Sequence, residues 1–327
     1  MPSSILHPPS SFVLVTGGAG FIGSHLVERL LNHGKRIVVI DDLSTGRQEN
    51  LAAVKSNPRL RIVKSKISEC KELPKLAANA EFVFHLAATV GVELVVKSAL
   101  HVLEASFHET QILLRAAAAN RTPLLLTSTS EVYGKSRKAA FGEDDDLLIG
   151  PPGQSRWSYA CSKLTDEFLA LAYAREKNLP VAIARLFNTV GPRQTGRYGM
   201  VLPRFIAAAK KNEPLKVFGN GRQTRCFCHV RDAVEALVRL QNCPKARDEI
   251  FNVGGTEEIS ILELARLVVK TLGSKSKIKL IPYDKAYSPG FDDMQRRKPM
   301  VKKLERFVEF RPRTLLREII LMTAHSG

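Results

Sequence analysis

Apolar residues along this chain change their spacing in a regular way. Short runs rich in Val, Ile and Leu stand at 13–16, 36–41, 59–63, 82–88, 124–130 and 181–188. Between most of them lie longer stretches whose apolar side chains recur every three or four residues, clearest at 24–33, 102–120 and 159–177. The short runs have the length and β-branched character of strands buried on both faces, and the longer spacing is that of helices packed by one side. Their alternation predicts an α/β fold with a doubly wound parallel sheet.

The alternation weakens after Asn188, where Gly191, Pro192, Gly196 and Gly199 open a loop. A boundary there divides a nucleotide-type unit at 1–188 from a smaller α/β unit at 189–327. The second unit is predicted to hold helices at 202–211, 230–241 and 261–271 and strands at 251–253 and 278–282. Its segments remain free to rejoin the first sheet.

Composition narrows the classes. At 327 residues the chain can bury a core without disulfides or metal, and with 44% hydrophobic residues it is too apolar to be disordered. No apolar run of about eighteen residues exists to span a bilayer, and residues 1–10 lack both the basic end and the apolar core of a secretory signal. The cysteines, at 70, 161, 226, 228 and 243, are odd in number and unpaired in pattern, so free thiols and a cytoplasmic location are expected. Cys226, Cys228 and His229 invite a metal reading, but no second ligand cluster accompanies them and none is expected. The formal charge of +17 favours polyanions in general. Its basic residues are scattered without interleaved aromatics, which reads as a solvated basic surface rather than a nucleic-acid site.

Two local patterns carry chemistry. The first is T-G-G-A-G-F-I-G at 16–23, placed after an apolar strand and opening a helix. Gly17 permits a tight turn, Gly20 lets the backbone approach a pyrophosphate and Gly23 allows close helix packing, while the helix N-terminus offers free N–H groups. In this context the pattern reads as a Rossmann dinucleotide site. Asp41, at the end of the second strand, suits the adenosine ribose hydroxyls and repels a 2′-phosphate, so NAD is expected over NADP. Asp41 as a mere cap is the competing reading, and neighbouring Asp42 fits that one better. The second pattern is W-S-Y-A-C-S-K at 157–163, which sets Tyr159 and Lys163 four apart on one helix face. A lysine ammonium beside the phenol favours the phenolate, which then takes a hydroxyl proton as hydride leaves.

Together, T-G-G-A-G-F-I-G, H-L-A-A at 85–88 and Y-x-x-x-K resemble the extended short-chain dehydrogenase/reductase family over nearly the whole chain. The resemblance implies NAD held against Phe21, Ile22 and Ala87 as well as the glycines, a nucleotide-diphosphate sugar as substrate, and a homodimer through the helices predicted at 102–120 and 159–177. Within the family the chain looks most like the UDP-glucuronate decarboxylase and UDP-xylose synthase group. T-S-T-S-E-V-Y-G at 127–134 places Thr129 and Ser130 at the reacting sugar and Glu131 as an acid or base beside it. F-G-E-D-D-D-L-L-I-G-P-P-G-Q-S-R-W-S-Y at 141–159 matches that group with Arg156 as a substrate residue. G-F-D-D-M-Q-R-R-K-P at 290–299 implies Arg297 as the acid partnering Glu131 and Phe291 against the nucleotide. K-V-F-G-N-G-R-Q-T-R at 216–225 looks like the loop around UDP, implying Lys216, Arg222 and Arg225 there, with Asn188 also at the phosphates. Three positions depart from the group's pattern: Lys66 and Met300 replace aspartates, and Met200 replaces an arginine.

UDP-glucuronate decarboxylation through a 4-ketone is therefore the expected activity. A UDP-hexose or UDP-hexuronate 4-epimerase is the nearest rival, since Met200 speaks mildly for it. A 4,6-dehydratase would need an aspartate where Ser130 stands. From another class, a non-catalytic NAD-dependent nucleic-acid binder would have no use for Ser130, Tyr159 and Lys163.

Overall fold

The computed structural model describes residues 11–88, 98–194, 200–282 and 294–325. Six strands form in the first part of the chain: β1 Phe12–Thr16, β2 Ile37–Asp41, β3 Leu60–Lys64, β4 Ala80–His85, β5 Leu124–Thr129 and β6 Val181–Leu186. Seven more follow among the described residues: β7 Thr189–Val190, β8 Leu215–Phe218, β9 Thr224–Cys226, β10 Cys228–His229, β11 Glu249–Val253, β12 Glu258–Ser260 and β13 Ile278–Ile281.

The central sheet has seven strands in the order β11-β6-β5-β4-β1-β2-β3, every pairing parallel. A parallel sheet needs cover on both faces, and alternate residues of each strand supply it. Val13 and Val15 of β1 pack with helices Phe21–Asn32, Val230–Gln241 and Lys302–Val308. Leu14, between them, points the other way into Leu73, Leu113, Leu114 and Ala170 of helices Leu73–Asn79, Ala99–Ala118 and Trp157–Lys177. Leu202, Phe205, Val217, Leu264 and Ile319 make a separate core under the remaining helices, Val201–Lys210, Ile261–Thr271 and Leu316–Ala324.

Three strands stop short of their apolar runs, that at 124–130 by one residue, at Thr129. The run at 82–88 ends as a strand at His85, and that at 181–188 ends at Leu186. Asn188 turns the backbone out of the sheet at φ 29, and Leu86–Ala88 and Phe187–Asn188 become rim rather than sheet. The helices Leu73–Asn79, Lys302–Val308 and Leu316–Ala324 escaped the periodicity because seven to nine residues hold too few turns to repeat a pattern. Cys226 and Cys228 belong to β9 and β10, which pair with different partners on either side of Phe227. Sequence beyond residue 188 serves both cores: β11 pairs with β6, and Val230–Gln241 packs on Phe21–Asn32.

Candidate active site

A cleft of about 760 Å³ opens at the carboxyl ends of β1, β4, β5 and β6, between the sheet and the second core. Parallel strands converge their following loops there, which is why open α/β sheets bind ligands at this edge.

At one end the turn after β1 is shaped by what its glycines lack. Gly17 stands at φ 72, and a Cβ on it would press against the Ala87 nitrogen at 2.6 Å. A Cβ on Gly23 would run into the Gly17 carbonyl oxygen. Gly20 caps the Phe21–Asn32 helix with no side-chain hydrogen bond, so the first-turn N–H groups face the cleft with no carboxylate of their own to serve. At the end of β2, Asp41 Oδ2 accepts from Ala19 N at 2.8 Å and Oδ1 from Leu43 N at 2.9 Å. Each oxygen keeps a lone pair, and Asp41 lines the cleft. Burial pushes its pKa up, while the two N–H bonds pull the other way. Asp42 also lines the cleft but closes a local turn, accepting from Ser44 N and Oγ. The uncapped helix start, the Cβ-free turn and the fixed carboxylate fit a dinucleotide: pyrophosphate at the N–H groups, ribose at Asp41.

At the other end three elements meet. Thr129 ends β5 and accepts from Glu131 N at 3.2 Å, which starts the short turn Ser130–Tyr133 and aims Ser130 and Glu131 into the cleft. The Trp157–Lys177 helix brings Tyr159 and Lys163 to the same wall. Tyr159 hydrogen-bonds Thr129. Burial first, and the Glu131 charge second, lift its pKa above the ordinary phenol range against the pull of Thr129 and Arg297. Arg297 Nη1 donates to Glu131 Oε1 at 3.2 Å, with only 11% and 14% of the two side chains exposed. Its neighbours face outward: Arg296 Nε lies 2.6 Å and Lys298 Nζ 3.6 Å from Glu258. Backbone bonds from Phe141 N to Lys298 O and from Met300 N to Phe141 O fix the strip on its other side.

Behind this wall lies a buried network. Ser128 Oγ donates to Glu167 Oε1 at 2.5 Å, Arg185 Nη2 to Glu167 Oε2 at 2.7 Å and Arg185 Nη1 to the Tyr133 hydroxyl at 2.9 Å. Tyr133 in turn donates to Asn252 Oδ1 at 2.8 Å, tying β5, β6 and β11 together at their active ends.

Of the residues singled out from sequence, the glycines, Asp41 and Ala87 line one end and Thr129, Ser130, Glu131, Tyr159, Lys163 and Arg297 the other. Arg156 and Arg225, both nearly buried, also line the cleft, as does Asn188, whose Nδ2 donates to Cys226 O at 2.9 Å. Lys216 and Arg222 do not: both are exposed and outside the lining. Successive residues of an extended segment point to opposite sides, so Arg222 turns out where Gln223 and Arg225 turn in. Phe291 lies outside the described residues. Met200 and Lys66 line the cleft, Lys66 pairing with Glu69 at 3.0 Å, while Met300 is turned outward.

Sequence reasoning missed Arg204, Gln223, Thr189 and Gln194, all in the lining. Thr189 Oγ1 and Gln194 Oε1 are buried without a partner among the described residues. It also missed Asp166, which pairs with Lys163. No spacing in T-V-G-P-R-Q at 189–194 set its threonine or glutamine apart.

Proteins of known activity share this architecture. The chain is 41% identical over 300 residues to the UDP-N-acetyl-alpha-D-glucosaminuronate decarboxylase of Bacillus cytotoxicus, covering 91% of this chain and 92% of that protein. It is 35% identical over 306 residues to UDP-glucuronic acid decarboxylase 4 of Arabidopsis thaliana, covering 94% and 66%. Among solved structures it is similar to a UDP-glucuronic acid 4-epimerase variant of Bacillus cereus in complex with UDP-4-deoxy-4-fluoro-glucuronic acid and NAD. That match has a TM-score of 0.86 at 28% identity, over 96% of this chain and 98% of that one. With its residues 13–254 matching the family model, the chain belongs to the NAD dependent epimerase/dehydratase family.

Proposed function

We propose that this enzyme decarboxylates a UDP-linked hexuronate, UDP-glucuronate in the first instance, through a 4-keto intermediate. The Glu131–Arg297 pair beside Tyr159 carries the reading, because chemistry confined to carbon 4 needs no second acid or base. Tyr159 takes the proton of the 4-hydroxyl, which Ser130 and Thr129 hold in place. NAD is the cofactor; held at Gly17, Gly20, Gly23 and Asp41, it would supply a hydride acceptor for carbon 4 and a positive charge that favours the phenolate. The 4-ketone lies β to the carboxylate, so carbon dioxide leaves with its electron pair taken up as an enolate. Ser130 and Tyr159 hydrogen-bond that oxygen, Glu131 with Arg297 delivers a proton to carbon 5, and Tyr159 returns its proton to the 4-oxygen as the hydride comes back to carbon 4, so the cycle consumes no oxidant. Arg156, Arg225 and Asn188 hold the diphosphate, and Arg204 joins them.

The two relatives named above differ at carbon 2 of the sugar and share the 4-hydroxyl and the carboxylate. The same residues therefore serve either substrate. Incubation with NAD and each UDP-sugar, followed by mass, tests the reading. Loss of one carbon dioxide, abolished in Tyr159→Phe and greatly slowed in Glu131→Ala, is expected. Unchanged mass with an inverted carbon 4 would establish the 4-epimerase instead, a reading favoured by apolar Met200 in the cleft and by the Bacillus cereus structure.

A homodimer is part of the proposal. Leu100, Leu103 and Phe107 stand exposed on the Ala99–Ala118 helix, and Phe168 is 64% exposed on the Trp157–Lys177 helix packed beside it. A second copy covering this face would remove all four from water. Among the described residues no helix is long and apolar enough to cross a membrane, and all five cysteines are free thiols, which suits the cytoplasm.

A further inference from the structure

Asp166 and Glu167 are adjacent, both buried, and differently used. Glu167 is saturated, taking Arg185 on both oxygens and the Ser128 hydroxyl besides. Asp166 takes both of its donors on one oxygen: Lys163 Nζ at 3.0 Å and Ser106 Oγ at 2.9 Å. Its Oδ1 is buried with no partner among the described residues. A carboxylate this incompletely satisfied is expensive to bury, and a neutral side chain would hold the helix as well. What it does provide is a negative charge in contact with Lys163, whose side chain is 3% exposed and cannot turn to solvent.

We infer that Asp166 is a positioning residue that sets how strongly Lys163 acidifies Tyr159. It fixes the ammonium through Oδ2 and offsets part of its charge, so the phenol keeps its proton to higher pH than an unopposed lysine would allow.

The groups around Tyr159 leave Asp166 room to matter. Lys163 and Asp166 come from its own helix, Thr129 and Glu131 from the end of β5, and Arg297 from the strip after residue 293. Two cations share this wall with the phenol: Arg297, which lowers its pKa and is itself engaged by Glu131, and Lys163, one turn further along the Tyr159 helix. His85 faces Lys163 from β4 but is kept neutral by burial and adds no charge. The Asp166 charge acts on Tyr159 in the upward direction, the same as Glu131. An opposite charge within contact distance moves a pKa by about one to three units, so its partial neutralisation is measurable. The inference rests on the proposed function only in taking Tyr159 as the proton-transfer group.

The test is a spectrophotometric titration of the Tyr159 phenolate in the NAD complex, with the Tyr159→Phe protein subtracted to remove the other tyrosines. Asp166→Asn and Asp166→Ala differ in size and hydrogen bonding but both delete the charge. Both are expected to lower the apparent pKa of the phenol by about one unit. The acid limb of kcat/KM should move the same way. Ser106→Ala, which keeps the charge, should not lower it. Folded Asp166 variants whose phenol titrates as in the parent would overturn the inference, and so would a fall of equal size in Ser106→Ala. Failure to turn over any UDP-sugar would defeat the proposed function yet leave this titration decisive.

Discussion

Arg297 reaches Glu131 at 3.2 Å across 166 positions of sequence. The contact exists because Glu258 draws Arg296 and Lys298 to one side of the strip and leaves Arg297 the other. If both residues serve one proton at carbon 5, removing either should cost nearly as much as removing both. Glu131→Gln and Arg297→Met are each expected to lower kcat for carbon dioxide release by roughly 100-fold or more. The double variant should add little. Fully additive losses in steady-state kinetics would mean that they act separately.

Asp41 is held by two backbone N–H groups and points at the cleft. In Asp41→Asn the fixed negative charge goes while the shape stays. NAD affinity should fall about tenfold, the worth of roughly 1.4 kcal/mol. The preference over NADP should shrink, since the repulsion of a 2′-phosphate is lost. Fluorescence titration with both dinucleotides measures this, and an unchanged ratio of the two dissociation constants would contradict it.

The Arg185–Glu167 pair, each side chain 3% exposed, contrasts with Lys66–Glu69, at 54% and 65%. Glu167→Ala strands a buried guanidinium and should cost about 3–5 kcal/mol in urea unfolding. Glu69→Ala should leave the urea midpoint unmoved within error, since both partners are solvated. Similar losses from both would show that burial does not govern these pairs.

His85 sits between Thr16 Oγ1, 2.7 Å from Nδ1, and Thr110 Oγ1, 3.0 Å from Nε2. Burial, then the Lys163 charge, hold its pKa down to about 3 from the usual 6.5. Above pH 6.5 neither the folded nor the unfolded chain protonates it, and it adds no pH dependence. Below that, only the unfolded chain takes up the proton, so stability falls with pH by roughly 1.4 kcal/mol per unit, down to the folded pKa. Unfolding midpoints measured between pH 5 and pH 7 should drop more steeply in the parent than in His85→Gln. Equal slopes would mean that His85 is already protonated in the folded protein.

Phe168, two-thirds exposed, is the obvious residue with which to test assembly. Phe168→Glu is expected to halve the mass seen by light scattering without altering the cleft, which lies on other faces of its helix. A parent protein that is already monomeric would remove the homodimer from the proposal.

What sequence made legible was local. The glycine turn, Asp41 and the Tyr159–Lys163 spacing each lie within one strand-turn or one helix, where spacing alone decides direction. Glu131 and Arg297 became visible as a pair through resemblance, because no spacing relates residues so far apart. Lys216 and Arg222 were placed by resemblance too, and the period of two in an extended chain already forbade Arg222 and Arg225, three apart, from facing the same cleft. Asp166 was hidden for a different reason. A charged residue midway along a helix reads as solvent-facing, and only the packing of Ala99–Ala118 against Trp157–Lys177 turns it inward.

The return of β11 to the far edge of the sheet bears on how the protein is made. β6 is flanked on one side by β5 at once, but on the other only by residues 249–253. As the chain leaves the ribosome, β6 therefore waits with an unpaired edge for more than sixty residues of further synthesis. Asn252, which bonds the Tyr133 hydroxyl, arrives with that strand, so the wall carrying Ser130 and Tyr159 sets only after residue 253 of 327 has been translated.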